Sequence, residues 1–99
     1  MAELLLVLHC SPPDAGTLVE AIRTVASAPI HRREEAVLGR DFSDAGTHEQ
    51  VRGVLHRIAF ELVVEDSMIP AIIAAVASSR RKQPVRWHSL PIIERGRIS

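Results

Sequence analysis

Five consecutive apolar residues, Leu4-Leu5-Leu6-Val7-Leu8, halted by Ser11-Pro12-Pro13, limit more than any other feature what this chain can fold into. An unbroken apolar run of strand length suits a strand buried on both faces. Such a strand belongs at the centre of a sheet.

The rest of the chain alternates between two periods. After the prolines, Leu18, Val19, Ile22, Val25 and Ala26 recur at helical spacing, with Ser11 or Asp14 placed to cap and proline tolerated in the opening turn. Ser27-Ala28-Pro29 ends this helix, and Ile30 to Gly39 reads as a strand interrupted by the charged run His31-Arg32-Arg33-Glu34-Glu35. Gly39 to Gly53, with three glycines, two aspartates and a serine, reads as the decorated tip of a hairpin, and its length favours a functional loop at 40–53 over a plain turn. From Val54 to Glu65, Ile58, Phe60, Leu62 and Val64 face one side while Arg57, Ala59, Glu61 and Val63 face the other. Glu65-Asp66-Ser67 offers a cap and acidic charge to a second helix carrying Met68, Ile69, Ile72, Ile73 and Val76, with Pro70 in its first turn and Arg80-Arg81-Lys82 at its close. Val85, Trp87 and Ser89 then alternate with Arg86, His88 and Leu90 in a last strand before Pro91, and 92–99 is a tail.

Strand, helix, strand, strand, helix, strand is the ferredoxin-like βαββαβ order. It predicts an α+β fold with a four-stranded antiparallel sheet and two helices on one face, in a single domain over 1–99. The opposite face is left uncovered, so the chain is expected to self-associate.

Composition narrows the function. A chain of 99 residues buries roughly 65% of its unfolded surface. With 46% apolar residues but only 3% aromatics, its core must be built from aliphatic side chains. Twelve basic and twelve acidic side chains cancel, which gives no long-range attraction to nucleic acid or anionic lipid. The last twenty residues are nevertheless basic, through Arg80-Arg81-Lys82, Arg86, Arg95 and Arg97. The apolar run at Leu4 to Leu8 is too short for a signal sequence or a membrane span, so a cytoplasmic protein without direct membrane insertion is expected. A single cysteine, Cys10, fits a reducing compartment.

Three segments together resemble the small PII-like proteins: His48-Glu49-Gln50-Val51-Arg52-Gly53, Arg57 to Leu62, and Val85 to Arg97. The acid-Gln-Val segment, the Trp in the final strand and the ending Pro91-Ile92-Ile93-Glu94-Arg95-Gly96 are closest to the DUF3240 branch of that group. The resemblance implies a homotrimer with ligand clefts between subunits at the base of the hairpin loop, which the family calls the T-loop. It further implies a signalling role linked to heavy-metal efflux, in which the loop residues Asp41, Phe42, His48, Glu49 and Gln50 meet a membrane transporter. The nucleotide-binding relatives carry a Gly-rich phosphate loop between the second helix and the last strand. Here the same place holds Ser78 to Pro84 with no glycine, and the chain has no tyrosine to be uridylylated.

Under that resemblance Arg40, Arg52, Arg95 and Arg97 are the candidate ligands of an anionic effector, a nucleotide or similar, since guanidinium forks suit phosphate and carboxylate. No obligatory cofactor is expected. The alternative is a copper or zinc module of metal homeostasis using His9, Cys10 and His48, although neighbouring strand residues point to opposite faces, so His9 and Cys10 cannot chelate together. A small ferredoxin-like enzyme working through His48-Glu49 is the third reading, and it lacks a nucleophile and an oxyanion site. The chain therefore reads as a regulator and not as an enzyme.

Overall fold

The computed structural model describes residues 2–38 and 54–99. Strand β1 spans Glu3–Cys10, and a 3-10 turn at Pro12–Asp14 leads into helix α1, Ala15–Arg23. Strand β2 is His31–Leu38 and β3 is Val54–Glu65. A second 3-10 turn, Asp66–Met68, opens helix α2 at Ile69–Ala77, and β4 is Arg86–Pro91. The four strands form an antiparallel sheet in the order β2-β3-β1-β4 with β1 in its interior, as the apolar run at Leu4 to Leu8 requires.

Alternation along each strand sends one set of side chains to the helices and the other to the open face. Leu6, Leu8 and Cys10 of β1 lie opposite Leu62, Phe60 and Ile58 of β3, and this sheet face packs with Leu18, Ile22, Ile72 and Val76 of the helices into one core. Phe60, Leu6, Leu8, Leu18, Ile22, Leu62 and Ile72 are all under 2% exposed. Each such side chain contributes about 1.5–3 kcal/mol by leaving water.

The helix ends depart from the sequence reading for identifiable reasons. Neither Ser11 nor Asp14 makes a side-chain cap, because the prolines open the segment as a 3-10 turn and the Asp14 carboxylate is used elsewhere. Helix α1 stops at Arg23, short of Val25 and Ala26, and the Arg23 guanidinium donates to the carbonyls of Ala26 and Ala28, holding the turn towards β2. Helix α2 likewise ends before Arg80-Arg81-Lys82. Within that run Arg81 places its charge on the helix end by donating to the Val76 carbonyl at 3.4 Å.

Candidate functional site

On the open face, register decides which polar groups meet. Glu35 of β2 lies opposite Arg57 of β3, while His9 of β1 lies opposite both Ala59 of β3 and Arg86 of β4. Four strands thus bring one carboxylate, one imidazole and two guanidinium groups to the same end of the sheet. Ala59, with only a methyl group between β2 and β1, leaves room for Glu35 to reach across β3, and its carboxylate contacts His9 Nδ1. On its other side the His9 ring stacks on His88, with centroids 5.5 Å apart and planes 21° from parallel.

His9, Glu35, Arg57 and Arg86 line a cavity of about 300 Å³. Val37, Leu55 and Pro84 give it apolar walls, and His9, Glu35, Arg57 and Arg86 give it charge and hydrogen-bonding capacity. Arg57 is only 6% exposed, and its Nη1 donates to the His56 carbonyl at 2.7 Å, which orients the guanidinium. Val37 and Leu55 sit next to the last described residues on either side of segment 39–53, so the cavity lies at the foot of the hairpin loop.

Pro84 and Arg86 reach this cavity because the chain before them is fixed. Asp14, 3% exposed, accepts from the backbone N–H of Lys82 at 2.9 Å, from that of Gln83 at 3.0 Å and from Ser11 Oγ at 2.9 Å. Burial pushes the Asp14 carboxyl up, but these three donors and the nearby Arg81 charge outweigh it and hold the group below the usual carboxylate range. The 78–84 segment thus commits two of its N–H groups to an internal carboxylate.

The remaining expectations divide by position. Arg40, Arg52, Asp41, Phe42, His48, Glu49 and Gln50 lie outside the described residues. Arg95 is bound at the far end of β1, where its Nε and Nη2 donate to the two Glu3 oxygens at 2.9 and 2.6 Å. Six residues of strand, about 20 Å, separate Glu3 from His9, so Arg95 does not approach the cavity of its own chain. Arg97 is exposed further along the tail. His9 and Cys10 emerge on opposite faces, and Cys10 is fully buried in the core. Burial, reinforced by the Asp14 charge, pushes the Cys10 thiol up to about 11, so it stays protonated near neutrality. Among the described residues no three His, Cys, Asp or Glu side chains converge as a metal centre would. Trp87 lies on the helix side of β4, half exposed beside Val76 and Val85.

Sequence reasoning passed over Glu35, Arg57, Arg86 and His88 as site residues. Strand alternation puts Arg57 on the open face and groups Arg86 with His88. Only the register across four strands shows that Glu35, Arg57 and Arg86 share a cavity with His9, against whose ring His88 stacks.

A family model described as "Protein of unknown function (DUF3240)" matches residues 33–99. Among solved structures, a DUF3240 family protein from Shewanella baltica is similar with a TM-score of 0.78 at 19% identity, over 100% of this chain and 99% of that one. GlnK of B. subtilis, in complex with ATP, is similar at 0.62 and 10% identity over 90% and 84% of the two chains. A candidate PII-like signalling protein from Thermus thermophilus is similar at 0.61 and 14% identity over 93% and 91%. No curated protein matches the sequence. At these identities the structural likeness concerns the fold alone.

Proposed function

The chain belongs to the DUF3240 family and has a PII-like fold, and from that premise we propose a regulatory protein that binds a small anionic effector and contacts a partner through its 40–53 loop. A PII-like fold supports a signalling role in general. The observation that carries the effector is the cavity at the foot of the loop, where Arg57 and Arg86 offer guanidinium forks and Val37, Leu55 and Pro84 offer an apolar wall. Because Lys82 and Gln83 already donate their N–H groups to Asp14, the effector's charge falls to side chains rather than to a backbone cradle.

In this reading the effector is a nucleotide or a similar anion, and the solved ATP complex of GlnK makes ATP the first probe. Arg40 and Arg52 would add to the cavity from the loop. Arg95 and Arg97 would add to it from a neighbouring copy in a homotrimer, because Arg95 lies far from the cavity of its own chain. The loop residues Asp41, Phe42, His48, Glu49 and Gln50 would face the partner, a heavy-metal efflux transporter in the membrane. Among the described residues no helix is long and apolar enough to cross a membrane, and we place the protein in the cytoplasm. The competing copper or zinc module, drawing on His9, Cys10 and His48, is disfavoured because Cys10 is a buried, protonated thiol facing away from His9. A regulator, not an enzyme, is the role we assign.

A thermal-shift panel of ATP, inorganic phosphate, bicarbonate, Cu(I) and Zn(II) tests the reading, since a ligand selective for the folded chain raises its Tm. Calorimetry on the anion that responds is expected to give an affinity at least about tenfold weaker in Arg86→Ala and in Arg57→Ala. Affinity unchanged in both variants would falsify the cavity assignment.

A further inference from the structure

Glu35 is the one carboxylate among the described residues lining the cavity, and it stands where an anionic ligand would be drawn. Its side chain is 23% exposed, it contacts His9 Nδ1, and the β2–β3 register sets it opposite Arg57. A charge largely withdrawn from water is tolerable only with partners of this kind. A second anion entering the same 300 Å³ would meet it as a like charge, and like charges at close range oppose binding.

From these placements we propose that Glu35 is the resident counter-anion of the cavity: held on His9, it occupies the effector's anion position and must be displaced when a phosphate-bearing effector binds. This rests on the anionic-effector reading above and adds its regulation. The consequence is directional. Glu35 sits on the edge strand β2, three residues before Leu38, the last described residue ahead of segment 39–53. Releasing Glu35 from His9 therefore removes a tie between β1 and β2. A ligand acts on a conformational equilibrium only through its different affinity for the two states, and Glu35 supplies that difference.

Calorimetric titration of the full chain with ATP and with inorganic phosphate tests the proposal. Glu35→Gln, which keeps the shape and removes the charge, is expected to bind the phosphate probes at least about tenfold tighter than the unmodified chain. Glu35→Asp keeps the charge and should bind close to the unmodified affinity. His9→Gln removes the partner that holds Glu35 in the effector's anion position, which lowers the cost of displacing it, and should likewise bind more tightly than the unmodified chain; weaker binding would count against the role. If the unmodified chain binds and Glu35→Gln is no tighter, or Glu35→Asp gains as much as Glu35→Gln, the counter-anion role is overturned while the effector reading stands. If neither the unmodified chain nor Glu35→Gln binds either probe, both fall together.

Discussion

Asp14 is, with Ser11, one of two candidate caps of the first helix, yet its carboxylate accepts from N–H groups 68 and 69 residues away. That use matters because it fixes the segment delivering Pro84 and Arg86 to the cavity. Its folded-state pKa is lowered, so its stabilising contribution is present above the unfolded value of about 3.9 and is lost as pH falls through the folded value. Asp14→Asn is accordingly expected to cost about 1–3 kcal/mol at pH 7, because a single amide oxygen replaces the charged carboxylate that serves both part-buried N–H groups. Urea melts at pH 7 and at pH 3 check this, and a deficit of the same size at both values would remove the charge from the explanation. Nothing in the sequence pairs Asp14 with Lys82 and Gln83. Capping propensity ranks local partners only, whereas this bond depends on how α1 and the turn after α2 are brought together by the core.

At the scale of elements, the strands were the most legible. Leu4 to Leu8 declared a central strand because no polar position interrupts it, and Val54 to Glu65 declared its two faces because its alternation is clean. The weakest strand on paper, His31–Leu38, proves to be an edge strand, where a charged run is tolerated and discourages further pairing. Helix ends were less legible, since the α1 terminus is decided by Arg23 donating to the carbonyls of the following turn. The tail is a case of its own: Ile92 N–H donates to the Glu3 carbonyl at 3.4 Å and Arg95 clasps the Glu3 carboxylate. Arg95→Ala should leave the Tm unchanged, as exposed ion pairs add little to stability, while making the 92–99 tail more open to digestion. Carboxypeptidase treatment followed by mass spectrometry reads the difference, and equal digestion of both chains would show that the tail is held by something else.

For the molecule as a whole, one sheet face is covered by helices and the other, among the described residues, is not. Leu90, 48% exposed on the open face, and Ile93, 93% exposed in the tail, leave apolar surface that a partner copy would cover. The homotrimer proposed here predicts a solution mass near three times the 10.9 kDa of the chain. Light scattering on a size-exclusion peak at micromolar concentration measures it directly. A monomeric mass would remove the reading in which Arg95 and Arg97 serve a neighbour's cavity.

The sequence by itself determined the order of strands and helices, the aliphatic core and the faces of β3, because each follows from periodicity within a few residues of chain. The same local information carried the family resemblance at Arg57 to Leu62 and Val85 to Arg97. Tertiary structure alone decided that His9, Glu35, Arg57 and Arg86 meet in one cavity, that Arg95 turns to Glu3, and that Asp14 anchors the turn before β4. The reason is register: it sets which residues of different strands stand opposite one another, and it is fixed by packing of the whole sheet against the helices rather than by any segment alone.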